Sequence, residues 1–281
     1  MTTIFRAALA RFRGQILGWG LALFLLSVMT TARYEIVREN QAQMQELLKG
    51  SAGKFAAMFG DTSKLTSPEG FLSLALFSYL PLILGVFAVL AGSGLLAADE
   101  EAGTLDLVLA HPVSRTSLFV GRLLAFAAAL VGILALSWLG FVVAMTWSSL
   151  AVGWGAMARP YLSLLALLLF FGSLALLLSL VLPSRRLAAS AAGLVLLVSF
   201  FLTTLARIDK DLEGLANLSP ITYYQGGEAI TGLNGRWLAG LLAVSGLFVV
   251  VAWRCFERRD IRVAGEGTWR WPALWRRARA W

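Results

Sequence analysis

Few side chains in this chain could do chemistry. His111 is its one histidine and Cys255 its one cysteine. A bound metal, a haem or a catalytic dyad draws on several such groups, so the sequence predicts no metal site, no catalytic residue and no cofactor. One stretch imitates a nucleotide site: Gly50, Gly53 and Lys54 look like part of a phosphate-binding loop. The full motif places four residues between its glycines and a Ser or Thr after the lysine. Here the glycines are too close, Phe55 follows the lysine and no buried strand precedes it. The look-alike is therefore rejected, and the chain is expected not to bind or hydrolyse ATP. The remaining polar groups worth attention fall in two places. Asp99, Glu100 and Glu101 open a segment that continues through Gly103, Thr104, Leu105, Val108, Leu109, Pro112 and Arg115. Pro220, Tyr223, Tyr224 and Glu228 form the second group. These residue types make contacts and gates, not covalent chemistry.

The elements that position them follow from composition. The 281 residues are 58% hydrophobic and only 14% charged, against ~25% charged in soluble domains. So few charges cannot cover so much apolar surface in water, and one cysteine excludes a disulfide scaffold. The fold class expected is an all-α integral membrane protein. A spanning helix needs ~20 apolar residues, and a charge at mid-bilayer costs at least ~2.5–3.5 kcal/mol. Charge-free runs cover 14–32, 71–98, 123–158, 160–184, 187–206 and 237–253. They predict six transmembrane helices in one membrane domain, 1–281, with spans near 14–32, 71–98, 118–146, 161–182, 187–206 and 237–253. The third run is short of the ~40 residues that two spans need, so it is read as one span whose outer extension carries Trp147 and Trp154. No clean small-x-small cleavage site follows the first run, which favours an uncleaved span over a signal peptide.

Charge orients the bundle. With the N-terminus inside, the inner segments hold fifteen of the 24 basic residues and seven of the 16 acidic ones. The whole net charge of +8 then lies on the inner side, which predicts both termini in the cytoplasm. Anionic lipid accounts for the basic balance, so no nucleic acid is expected as a partner.

The loops carry more detail. In the outer loop 33–70, Tyr34, Val37, Met44, Leu47 and Leu48 recur at roughly helical spacing, which suggests a surface helix. In the inner segment, the three acids suit a helix N-terminus. Leu105, Val108 and Leu109 form an apolar face, and Pro112 ends it. Ser114 is expected to cap the third span, with Arg115 and Arg122 reaching headgroups. Two readings stay open for this segment: an interfacial helix tying two spans together, or a docking element for a cytoplasmic partner. The loop 183–186 is only a turn. The last outer loop places helix breakers beside Tyr223, Tyr224, Gly226 and Gly227, which suggests a partly re-entrant segment. Glu228 is either a gate contact or a solvated carboxylate. The tail 254–281 mixes Trp with Arg as an interfacial segment does. Small residues, including Gly14 with Gly18 and Gly92 with Gly94, offer close helix packing.

Glu101, Gly103, Thr104 and Leu105, then Pro112, Val113, Ser114 and Arg115, then Gly121 and Arg122 resemble a Glu-x-Gly-Thr-Leu, Pro-Val-Ser-Arg, Gly-Arg series. That series is found after the second span in the type-2 ABC exporter permease family. Ser219, Pro220, Ile221, Thr222, Tyr223 and Tyr224 before the last span, and Phe256, Arg258, Arg259 and Asp260 after it, extend the likeness along the chain. The resemblance implies a transport subunit in the cell inner (plasma) membrane. It implies an ABC-type ATPase partner in two copies that binds the ATP. It also implies a permease homodimer, or a pairing with a related second permease. The segment from Asp99 to His111 would be the coupling helix, and the stretch with Ile4, Phe5, Leu9 and Phe12 an interfacial elbow helix. Pro220, Tyr223, Tyr224 and Glu228 are the candidate outer gate. The competing expectation is an ATP-driven membrane subunit that remodels or assembles an outer-face protein, for example in metalloenzyme maturation. An amphipathic or hydrophobic cargo is mildly favoured, because no charged site is expected within the spans.

Overall fold

The computed structural model describes residues 2–39, 67–103, 114–148, 150, 152–206 and 209–258. Within them the chain is helical, with six helices long and apolar enough to cross a membrane. In a bilayer core no water is present to satisfy backbone groups, so a helix, which bonds internally, is the form an unbroken apolar run must take.

The first helix, Thr2–Glu39, is a single unbroken rod. Its 38 residues reach about 57 Å at ~1.5 Å per residue, well beyond a hydrocarbon core. The expected elbow helix is therefore not set off from the first span. No proline or capping residue interrupts the passage from the basic start into the apolar run, so nothing stops the helix there. Its C-terminal turns also take up the start of the expected outer loop, including Tyr34.

The second span, Pro68–Gly94, is capped by Ser67, whose side chain accepts a hydrogen bond from Gly70 N at 3.1 Å. It widens into a π turn over Ser73–Phe77. The third span, Arg115–Ala144, begins at Ser114, whose hydroxyl accepts from Ser117 N at 3.1 Å, the cap expected from the sequence. The long third run is divided differently from expectation. Trp147 lies in the turn after the third span, but Trp154 opens the fourth, Trp154–Val181. The Trp138 indole donates to Trp154 O at 3.1 Å, which draws the two helix ends together. Pro160 lies inside the fourth helix, in its second turn, and the helix continues past it. The fifth and sixth spans are Arg185–Ala206 and Gly235–Arg258.

The first and third spans run parallel. A Cβ placed on Gly121 would meet Ile4, one on Gly20 would meet Leu136, and one on Gly140 would lie 2.5 Å from Phe24 O. Both residue series ascend together, which is what a single intervening span requires. At Gly140 only a missing side chain permits the approach. Gly14 and Gly18, singled out in the sequence as packing residues, have nothing near their Cβ positions; the seam uses the opposite face of that helix. The fourth span is the bundle's centre, packing on the second, third, fifth and sixth. Phe77, Phe141 and Tyr161 cluster beside it at ring separations of 5.5–6.5 Å.

Candidate functional site at the charged end of the bundle

The short helix Ala97–Glu101 follows the second span, and its three acids have different fates. Asp99 turns inward and is 8% exposed. Arg11 of the first span donates to both of its carboxylate oxygens at 3.0 Å. Arg122 of the third span donates to Asp99 Oδ2 and, at 2.7 Å, to Leu95 O. Arg122 is itself only 7% exposed. Burial alone would lift the Asp99 carboxyl, but the Arg122 and Arg11 guanidiniums outweigh it and hold the group below the ordinary carboxylate value.

One expectation changes here. Arg122 was expected to reach headgroups, but it is committed to Asp99 inside the protein. The physical reason is depth. Asp99 follows one charge-free run and Arg122 precedes another, so the fold brings them to one level, and unpaired charges there would be costly.

Glu101 remains at the surface, where its Oε1 accepts from Arg185 N at 3.1 Å and so joins the short helix to the start of the fifth span. Gly103 has φ 67°, the left-handed conformation that lets a chain leave a helix sharply. Thr104, Leu105, Val108, Leu109 and Pro112 lie outside the described residues. Beyond them Arg115 Nη1 approaches Glu257 O at 3.5 Å, and Thr116 donates to Glu257 Oε1 at 2.5 Å. The segment from Asp99 to Arg115 is thus anchored on its two sides to the first, third, fifth and sixth spans. Displacing it would load all four.

The second candidate group gathers at the opposite end. Pro220–Tyr223 and Gly226–Ile230 are short 3-10 turns packed beside the bundle. Ser219 caps the first, accepting from Ile221 N at 3.2 Å, with Pro220 at its start. Tyr223 donates to Asn217 O at 2.9 Å, and Tyr224 donates to Phe77 O, in the π turn, at 3.1 Å. Gln225 donates from its backbone N to Ser163 Oγ at 3.1 Å and grips Asn234 with its side chain. Glu228 is exposed and points away from this packing. Pro220, Tyr223 and Tyr224 are therefore parts of a tied cap, and Glu228 stands on its surface.

Sequence reasoning missed Arg11, Thr116 and Glu257. It also missed a buried hydroxyl trio: Ser27 and Ser137 share a hydrogen bond of 3.0 Å, as do Ser137 and Tyr161. The usable signal was position, since Asp99 and Arg122 border charge-free runs and Arg11 lies three residues before one. The trio had no such signal.

Six helices long and apolar enough to cross a membrane, with a charged clamp at one end and a tied cap at the other, suggest a multi-pass membrane protein. Residues 5–261 match the family described as ABC-2 family transporter protein. The chain belongs to that family, whose members are permease subunits of ABC transporters and imply an ABC ATPase partner. No curated protein matches the chain.

Proposed function

We propose that this chain is the permease subunit of an ABC exporter, coupled to ATP hydrolysis in a separate subunit through the segment from Asp99 to Arg115. Two permease copies and two ATPase copies make up the working unit, in the cell inner membrane with both chain ends in the cytoplasm. The chain supplies no catalytic group and no cofactor of its own; ATP is bound by the partner. The observation that carries this reading is the anchoring of the segment's two sides to four spans, through Asp99, Glu101, Arg115 and Thr116. A push on the segment passes through short charged contacts into helices that line the bundle. The Asp99 clamp makes the inner part of that lever stiff, and the exposed Glu101 stands at its outward end.

The partner should hold the apolar face of Leu105, Val108 and Leu109. Burying one leucine is worth ~1.5–3 kcal/mol, and a carboxylate in its place adds a desolvation cost. Leu105→Asp should therefore weaken ATPase association at least tenfold, since ~1.4 kcal/mol is a factor of ten. The variant should still insert, and the partner's basal hydrolysis should survive. Co-purification stoichiometry and ATP-dependent cargo movement in vesicles read both effects. Full stoichiometry with normal transport in Leu105→Asp would sink the coupling role.

A further inference from the structure

We propose that the cleft between the first and second spans binds a single anionic phospholipid. Its phosphate would lie between Arg11 and Arg185, with an acyl chain along the apolar wall. The site is independent of how the chain couples to ATP.

The two spans meet at Tyr34 with Phe71, rings 5.5 Å apart, and again at Trp19 with Phe87, rings 6.0 Å apart. Nearer the charged end they part around a cleft of about 670 Å³, open to the side. Its walls are apolar, with Ala8 and Trp19 on the first span and Phe87 and Leu90 on the second. Leu90 is 51% exposed. Arg11, Arg122 and Arg185 also line it. Asp99 engages two of them, and every ionisable residue lining the cleft is an arginine. Arg11 is exposed and spends one nitrogen, Nη1, on Asp99. The Arg185 guanidinium lies over Gly94, where an added Cβ would come within 3.1 Å of it. The missing side chain is what lets this cation lean into the cleft.

Depth selects the ligand. Arg11 precedes the first charge-free run and Arg185 the fifth, while Asp99 follows the second. The cationic groups thus stand where hydrocarbon gives way to headgroups. From Arg11 to Trp19 the helix rises about 12 Å at ~1.5 Å per residue, and over that length Phe12, Gln15 and Trp19 face a cleft that is otherwise mostly apolar. A soluble anion would leave that wall unused, and a zwitterionic lipid would bring no net charge to the arginines. A phosphate carrying one net negative charge and hydrocarbon chains satisfies both, since charge-assisted bonds from arginine to phosphate are strong.

Native mass spectrometry of the delipidated permease in nonionic detergent tests this. The probes are dioleoyl phosphatidylglycerol, dioleoyl phosphatidylcholine and inorganic phosphate. One phosphatidylglycerol should be retained at a concentration at least tenfold below that needed for phosphatidylcholine. Arg185→Gln removes the cation and keeps the backbone bond to Glu101; Ala8→Trp fills the cleft from another helix. Each should weaken phosphatidylglycerol at least fivefold with little change for phosphatidylcholine. Arg13→Gln, exposed at a similar depth but outside the cleft, should leave binding unchanged. Equal retention of the two lipids overturns the proposal, as does wild-type binding by both cleft variants. An Arg13→Gln loss matching that of Arg185→Gln would assign the effect to the general basic surface. Displacement of the lipid by equimolar inorganic phosphate would reduce the cleft to a free-anion site.

Discussion

Asp99 and its two arginines contribute unequally, and burial decides how. The Arg122 and Asp99 side chains are 8% and 11% exposed, while the Arg11 side chain is 65% exposed. Removing one member of a buried pair leaves an uncompensated charge, at a cost of ~3–5 kcal/mol. An exposed pair is worth ~0–1 kcal/mol. Thermal melts in detergent should therefore show Arg122→Ala strongly destabilised and Arg11→Gln nearly unchanged; equal losses would contradict the assignment of the buried pair. The pH dependence has a fixed sign. The Asp99 carboxyl is held below its ordinary value of about 3.8 in the folded protein. Its contribution is fully present above that value and is lost as pH falls through the lowered one. The stability gap between the wild type and Asp99→Asn should be constant from pH 7 to 5 and shrink below about pH 4. A gap that widens on acidification would mean the carboxyl is not stabilised by its neighbours.

Among the elements, the parallel seam between the first and third spans is closely constrained. Gly140 lies so close to the first span that a Cβ would sit 2.5 Å from Phe24 O, a backbone atom that cannot swing aside. Gly140→Val should force the helices apart and cost ~1–3 kcal/mol, as overpacking does. Gly18→Val, on a face with nothing within 4 Å, should cost far less. Melting temperatures of the two variants, measured side by side, check the ordering; the reverse order would place the seam on the wrong face. This contrast also marks what periodicity could not supply. Gly14 and Gly18 form a small-residue pair in the sequence, yet Gly140 and Gly20 make the contact. Small residues show that a helix can be approached closely, and only its rotation against a neighbour decides where.

For the molecule as a whole, six crossings would bring the two chain ends to one face, and the proposal that this face is cytoplasmic rests on its excess of arginine. Cys255 tests the placement, because it is the chain's one thiol, lies near the end of the sixth span and is half-buried. A membrane-impermeant maleimide should label it in inverted vesicles and leave it unlabelled in intact cells. Labelling from outside intact cells would reverse the topology.

Six spans, their order and the Ser114 cap were legible in the sequence, because charge-free length, helix-stop chemistry and capping are local properties. So was the family, through the residue types of the segment that opens at Asp99 and of the motifs that follow it. What tertiary structure decided was which charges face one another. Asp99, Glu100 and Glu101 are adjacent acids with the same local chemistry, but helix rotation turns Asp99 onto Arg11 and Arg122 and leaves Glu101 at the surface beside Arg185. The partners lie 88 and 23 residues away from Asp99, and no local spacing rule reaches so far. The hydroxyl trio of Ser27, Ser137 and Tyr161 was hidden for the same reason: each hydroxyl is unremarkable in its own helix, and the network exists only where three helices meet.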